Sequence, residues 1–508
     1  MASDEMAAET DEGAAGGSLE EQRKVRIDKV AALRADGVDP YPDRFERSAT
    51  SDQLRERFGA LEPQQETGVV ERVAGRVLLH RNLGRLIFLT LKDPGGTIQL
   101  FVSKGVIGAE AFARVAELDR GDWVGAEGEV MTTKTGELSV KAAEVRLLAK
   151  ALRPLPEKHR GLADVDTRFR QRYVDLIVNE DAQRVFDIRH RTIATFRRVL
   201  AGRGFVEVET PVLQHEAGGA AARPFTTHHN ALDMQLYLRI ATELHLKRLV
   251  VGGMERVFEI GRIFRNEGID TRHNPEFTTV EIYQALANQH DMMDLTEDLV
   301  VAAAQDTLGT TVVESPDGPV DLTPPWPRRR LVELVAEVIG EEVDPRMPLE
   351  DLRSVCDRVG LEYEAHWGPG RLVYELFDDK VERTLSGPVF VHEYPAEVSP
   401  LARRNTEVPE LADRFELFVR GRELANAFSE LNEPSLQRAA FEAQVDQARA
   451  GDLEAQQTVD EDYLRALEHG LPPTGGLGIG IDRLVMLLAG VDTIREVILF
   501  PTLRPEQA

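Results

Sequence analysis

Residues 264–283, FRNEGIDTRHNPEFTTVEIY, decide how the rest of the chain is read. Two arginines (Arg265, Arg272), His273 and four carboxylates (Glu267, Asp270, Glu276, Glu281) fall within this stretch, which joins ERVFEIGRIFR to EFTTVEIY, both of which alternate as strands do. Side chains alternate across a strand, so Phe277, Thr279, Glu281 and Tyr283 share one face, while Thr278, Val280 and Ile282 face a core. One reading of the charged face is a solvated surface with weak ion pairs. The other is a ligand site. Arg265 and Arg272 bracket a loop containing Gly268, suited to closing over phosphates, and the planar arginine fork matches phosphate or carboxylate. Phe277, out of place on a polar face, suits stacking on a base.

Two further segments repeat the pattern. In ANAFSEL, Asn426, Phe428 and Glu430 share a face, and upstream Glu416 and Glu423 flank a turn at Gly421. Paired carboxylates on adjacent strands suit Mg²⁺ held together with substrate phosphates; the alternative is a hairpin with exposed acids. GGLGIGIDRL carries glycines at 475, 476, 478 and 480. Glycine weakens a strand, and its repetition points to close approach by a ligand or to a tight strand–helix corner. Asp482 is placed to cap the next helix, with Arg483 in its first turn, where anions are favoured.

The 508 residues, 42% of them hydrophobic, suggest two to four domains. No apolar run is long enough for a membrane span. MASDEMAAETDEGAAGGSLEEQ carries seven acids and no lysine or arginine, so residues 1–22 read as a disordered acidic tail rather than a signal peptide. The single cysteine, Cys356, excludes an internal disulfide and reads as a buried helix residue; a cytoplasmic protein is expected. Net charge is −26, yet residues 65–150 hold 12 basic and 11 acidic side chains, a net of +1 that leaves −27 for the remainder. A polyanion has one segment to approach. That segment, 61–150, reads as five short strands of an oligonucleotide-binding (OB) barrel, preceded by a helical segment 23–60 and followed by a linker 151–168. Residues 169–508 read as an α+β domain: FVEVETPVL as a strand, a mainly antiparallel sheet flanked by helices, and a helical insertion near 285–385.

Taken together, GFVEVETPVL, FRNEGIDTRHNPEF and GLGIGIDRL resemble the three signature motifs of class II aminoacyl-tRNA synthetases. The barrel followed by QRYVDLIVNEDAQRVFDIR resembles the subgroup for lysine, aspartate and asparagine, and residues 218–262 resemble the bacterial lysyl-tRNA synthetases. The resemblance spans residues 23–505. It implies an OB-fold anticodon-binding domain joined to a class II catalytic domain, with L-lysine, ATP, Mg²⁺ and tRNA-Lys as ligands, and a homodimer with no membrane association. It also implies roles. Arg265 holds the α-phosphate and the amino-acid carboxylate. Glu267, Arg272, His273 and Asn274 contact ATP. Phe277 and Arg483 sandwich adenine, and Glu416 and Glu423 hold magnesium. Gly219, Glu243, Glu281, Tyr283, Asn426, Phe428 and Glu430 form the lysine pocket. Arg81, Phe88 and Gln99 contact the central anticodon base, although Phe88 read alone is a barrel core residue. Two positions depart from the family: Thr242 stands where proline is common, and Ala427 where glycine is common.

Overall fold

The computed structural model of the chain describes residues 18–156, 162, 164–216, 218–220, 222–315, 318–451 and 458–505. Most of the acidic tail and part of the linker lie outside the described residues. The chain divides into two units, Met1–Gly161 and Leu162–Ala508. Among the described residues no helix is long and apolar enough to cross a membrane.

The first unit opens with the helix Leu19–Ala35, four residues earlier than expected. The reason is a capping box: Ser18 accepts from the Glu21 N–H and the Glu21 carboxylate accepts from the Ser18 N–H, so two orphan donors of the first turn are satisfied at once. Five strands follow: β1 (Glu66–Asn82), β2 (Leu86–Asp93), β3 (Gly96–Ser103), β4 (Trp123–Thr132) and β5 (Leu138–Ala149). They close into a barrel in the order β1-β2-β3-β5-β4. Strict alternation fills the interior: Ile87, Leu89 and Leu91 of β2 and Ile98, Leu100 and Val102 of β3 are buried together.

The second unit begins its sheets with β6 (Val206–Glu207) and β7 (Leu213–Gln214). The single strand expected over FVEVETPVL is therefore two fragments in different sheets. Pro211 lies between them, and it lacks the N–H a ladder needs. β7 joins β8 (Thr226–His229) and β9 (Met234–Leu238) in a three-stranded sheet. Then come β10 (Arg256–Phe264) and β11 (Glu276–Ala285), the pair on either side of the charged loop. The insertion carries β12 (Val312–Val313), β13 (Val320–Asp321), β14 (Arg328–Arg330) and the helices Leu331–Ile339, Leu349–Val359 and Pro369–Lys380; the three helices share a second core that includes Cys356, while Val313 and Val320 join the main one. β15 (Val389–Pro395), β16 (Leu411–Phe418), β17 (Glu423–Ser429) and β18 (Thr474–Gly480) complete the main sheet. Its order is β14-β15-β16-β17-β18-β11-β10-β6. Only the edge pairs β14/β15 and β10/β6 are parallel. The α+β class and the antiparallel sheet flanked by helices are as expected.

One face of the sheet is apolar. Val280 and Ile282 of β11, Leu477 and Ile479 of β18, Ala425 and Ala427 of β17, and Phe415 and Leu417 of β16 are buried in one core with the helices Glu180–Gly202, Gln289–Leu308 and Ile481–Ala489. The other face holds the polar residues.

Asp482 does not cap its helix as expected: no side-chain cap bond is made there. Its carboxylate is buried instead, accepting from the Thr278 N–H at 2.6 Å and from Arg189 Nη1 at 2.5 Å. It thereby ties helix Ile481–Ala489, strand β11 and helix Glu180–Gly202 together. Removing one partner of a buried ion pair leaves the other uncompensated. Asp482→Ala should lower the unfolding free energy of the second unit by about 3–5 kcal/mol, read from urea denaturation; an unchanged midpoint would show that the tie is dispensable.

Candidate active site

The polar face is organised by sheet register. Directly opposed residues of adjacent strands point the same way, and two rows run across four strands. Glu281, Gly478, Asn426 and Glu416 form the first, and Tyr283, Gly476, Phe428 and Arg414 the second. Both rows cross β18 at glycine, so the side chains of β11 and β17 converge over a strand that offers none of its own. A cavity of about 580 Å³ opens on these rows. It is lined by every catalytic, nucleotide, lysine and metal position singled out in the sequence except Glu430, namely Gly219, Glu243, Arg265, Glu267, Arg272, His273, Asn274, Phe277, Glu281, Tyr283, Glu416, Glu423, Asn426, Phe428 and Arg483.

The charged loop folds back on itself. Asp270 accepts from the Arg272 and His273 backbone N–H groups at 2.6 and 2.7 Å and from His273 Nδ1 at 2.9 Å. Burial works against its charge, but these donors bring its carboxyl down to about 2. Asp270 is thus the residue that shapes the loop, a role the spacing alone did not assign. Asn274 turns inward and donates to the Glu276 carbonyl at 2.6 Å. At the foot of the loop the Arg265 guanidinium lies 5.3 Å from the centre of the Phe277 ring. Burial lowers the Arg265 proton affinity, opposed by the charges of Glu267, Glu423 and Glu281, and no described residue accepts a hydrogen bond from its Nε. A buried guanidinium with a free donor is suited to a phosphate or carboxylate.

Glu416 and Glu423 each already hold an arginine. Arg414 Nη2 reaches Glu416 at 2.5 Å, with the Tyr394 hydroxyl donating to the same carboxylate at 2.9 Å; Arg483 Nη1 donates to Glu423 at 2.9 Å. Burial pushes the Glu416 carboxyl up, and the neighbouring Glu423 charge adds to this against Arg414. Burial acts on Glu423 too, yet Arg483 brings it below the ordinary range. The two acids are electrostatically linked and face the same cavity, so the donor set fits a divalent cation. Among the described residues no group of three or more His, Cys, Asp or Glu side chains forms a cage; phosphates and water would complete the shell, as is common for magnesium.

The blind end of the cavity is acidic. Glu281 Oε1 accepts from the Thr242 N–H at 3.1 Å, and Oε2 lies 3.4 Å from the Tyr283 hydroxyl. Proline at position 242 would offer no such donor, so this departure from the family touches the site through the backbone. Burial raises the Glu281 carboxyl to about 7, with Glu243 raising it further and Thr242 and Arg265 opposing. Glu430 does not reach the cavity wall. It is buried over Gly476, against Lys247, a lysine that the sequence reading missed although its spacing of four from Glu243 on a helix is the signal for such a pair. Also missed were His366, Trp367 and Arg371, which the insertion brings to the wall; nothing in their local sequence marks them.

In the barrel, Arg81, Phe88 and Phe101 face one another across β1, β2 and β3, while Gln99 opposes Thr90 and Ser139. All lie on the face away from the barrel core, whose residues alternate with them. Phe88 is therefore not a core residue; its ring packs edge-to-face on Phe101 at 5.5 Å. Gln99 Nε2 donates to Ser139 Oγ at 2.9 Å.

The glycine at 476 makes room for protein rather than ligand. A Cβ there would lie 1.9 Å from Glu430 Oε1 and 2.6 Å from Tyr283 Cε1. Gly476→Ala should cost about 1–3 kcal/mol of stability through overpacking, measured by thermal denaturation; a variant as stable as the parent would mean that both side chains move aside freely.

Comparison with known proteins places this geometry. The family model for class II tRNA synthetases (D, K and N) matches residues 164–504, and that for an OB-fold nucleic acid binding domain matches residues 71–148. The chain is 49% identical over 490 residues to the lysine–tRNA ligase of Pediococcus pentosaceus, covering 96% of this chain and 98% of that protein. It is 51% identical over 483 residues to that of Moorella thermoacetica (95% and 98% covered) and 49% identical over 488 residues to that of Bacillus subtilis (96% and 98% covered). On the match of the family model and on these identities over nearly the whole length, the chain belongs to the class II tRNA synthetases of the aspartate, lysine and asparagine group, and within it to the lysine–tRNA ligase family.

Proposed function

We propose that the chain activates L-lysine with ATP, giving lysyl-adenylate and pyrophosphate, and then transfers the lysyl group to the 3′ end of tRNA-Lys. The observation that carries this reading is the polarity of the cavity: the carboxylates Glu243 and Glu281 in one part of its wall, and Arg265, Arg483 and the Phe277 ring in another. A cationic side chain enters the first and a nucleotide the second.

The lysine carboxylate attacks the α-phosphorus of ATP and pyrophosphate leaves, so no nucleophile from the protein is needed. Positioning and charge neutralisation supply the catalysis. Arg265, with its free donor, bridges the amino-acid carboxylate and the α-phosphate. Phe277 and Arg483 hold adenine between them, and Glu267, Arg272, His273 and Asn274 contact the rest of the nucleotide. Glu416 and Glu423 would hold Mg²⁺, whose chemistry is to neutralise phosphate charge. In the second step a ribose hydroxyl of the terminal adenosine attacks the lysyl carbonyl and AMP leaves. Lysine's ammonium is a compact, strongly hydrated cation with three donors. Glu243 and Glu281 on the wall and Glu430 behind it replace its water, Tyr283 and Phe428 flank the methylene stem, and Gly219 and Asn426 complete the pocket.

The outer face of the barrel supports an anticodon reader. Phe88 offers a stacking surface and Gln99 a hydrogen-bonding edge, which is how unpaired RNA bases are read, with Arg81 beside them. Exposed Val206, Val212 and Leu213, in the segment resembling the first signature motif, support a homodimer with twofold symmetry. Consumption of tRNA supports a cytoplasmic location.

The decisive experiment is ATP–pyrophosphate exchange with each amino acid in turn: lysine should support it and aspartate should not. Its pH dependence follows from Glu281. The ammonium is held by the ionised form, so the lysine KM should be lowest above about pH 7 and rise by up to about tenfold per unit below it. Glu281→Gln should raise the KM and flatten that profile; an unaltered profile would remove Glu281 from the ammonium site. Phe88→Ala should leave exchange unchanged and reduce tRNA charging, since a stacked base is worth about 1–3 kcal/mol. Normal charging by that variant would take the outer barrel face out of tRNA recognition.

A further inference from the structure

Lys247 is fully buried. Its ammonium is 2.5 Å from Glu243 Oε1 and in contact with Glu430 Oε2. The rings of Phe428 and Tyr463 flank it at 5.4 and 6.0 Å. A lysine of the protein is thus already installed, with two acids and aromatic walls, directly behind the pocket proposed to take a lysine as substrate. We propose that Lys247 is a positioning residue for lysine specificity: it binds one oxygen of Glu430 so that the other is presented, ionised, toward the substrate's ammonium.

Three observations carry this. First, the two oxygens of Glu430 have different surroundings. Oε2 makes the ion pair with Lys247, while Oε1 lies over Gly476, a residue of the cavity wall; no described residue completes a hydrogen bond to either oxygen, so the difference between them is the cation on Oε2. A buried carboxylate oxygen without a donor is costly, and an ammonium at the cavity's blind end would supply one. Secondly, the charges do not balance without Lys247. Glu243, Glu281 and Glu430 converge on one small region, and a single substrate ammonium cannot offset three buried carboxylates. Lys247 provides a second, permanent cation. Thirdly, among the described residues Lys247 is the cation with the largest effect on Glu430. Glu243 and Lys247 face it from helix Glu243–Val251, Glu281 and Tyr283 from β11, and Tyr463 from helix Glu461–Glu468, while β18 contributes only glycine. Burial pushes the Glu430 carboxyl strongly up and Lys247 opposes it; the paired acids in turn hold Lys247 protonated. Without Lys247, Glu430 takes up a proton and ceases to attract the substrate.

This inference rests on the lysine-activating reading, and one set of exchange assays with the full chain separates the two. Lys247→Met keeps the stem and removes the charge. It should raise the lysine KM about tenfold or more near neutral pH, the scale of one charge-assisted hydrogen bond, and leave the ATP KM within about twofold. Its lysine KM should also fall more steeply than the parent's as the pH is raised above neutral, because Glu430 without Lys247 ionises only at higher pH. Adding Glu430→Gln to Lys247→Met should do little further harm and should raise the thermal midpoint of the single variant, because replacing both members of a buried pair costs less than removing one. An unmoved lysine KM, an equal loss for lysine and ATP, or independent effects of the two substitutions would overturn the proposal. If Lys247→Met alone does not fold, the variant that adds both Glu243→Gln and Glu430→Gln decides: restored folding supports the charge cluster, and failure to restore it overturns the cluster. Absence of lysine-dependent exchange in the parent would instead defeat the reading on which the proposal stands.

Discussion

The site depends on a constraint of sheet geometry: residues opposed across strands share a face, and the middle strand of this site has glycine at both crossing points. Gly478 and Gly476 let Glu281 and Tyr283 on one side meet Asn426 and Phe428 on the other without an intervening side chain. The same strand keeps Leu477 and Ile479 turned to the core, so alternation anchors β18 from beneath while leaving its upper face bare. Glu430 then folds back over the space a Cβ at position 476 would have filled. A glycine-rich strand that looks weak by propensity is held by core packing on one face and by its neighbours' ladders on both edges.

Charge is distributed by the same logic. The buried acids in and around the cavity are paired with cations: Glu416 with Arg414 on the same strand, Glu423 with Arg483 of another element, and Glu243 and Glu430 with Lys247, the first on the same helix and the second across to a strand. Glu281 is the exception, bonded only to neutral donors and raised to about 7. The molecule therefore keeps its metal-type acids and its deep acids compensated and leaves one carboxylate on the wall able to change state when a cation arrives. Arg265 is its counterpart at the other end, a buried cation with a donor to spare. The proposed lysine site uses this pair, one group for each charge of the amino acid.

The barrel uses alternation differently. Its inward residues close a core, and its outward ones place Arg81, Phe88 and Phe101 in a cross-strand row. Nothing in β2 read alone separates an inward phenylalanine from an outward one. Ring closure decides it, because Ile87, Leu89 and Leu91 are the residues of β2 that join the interior core, which leaves Phe88 on the outer face.

By itself the sequence determined the period-two faces of β11 and β17, the turn at Gly421 and the barrel, because these follow from alternation and from residue chemistry that is local; Gly219, Glu243, Glu267, His273 and Asn274, which the cavity also gathers, were assigned to the site only by resemblance to the family. It misplaced Asp482, whose position at a helix start suggested a cap, because the competing partners, Thr278 and Arg189, lie 204 and 293 residues away. It could not reveal Lys247 behind Glu430, since that pair joins residues 183 positions apart (430 minus 247) and exists only once a helix and a strand are packed together. It could not foresee the contribution of His366, Trp367 and Arg371, which come from an insertion whose helices share a second core. Local pattern specifies which way a side chain points; which distant charge it meets is settled by packing, because burial makes an unpaired charge too costly to leave alone.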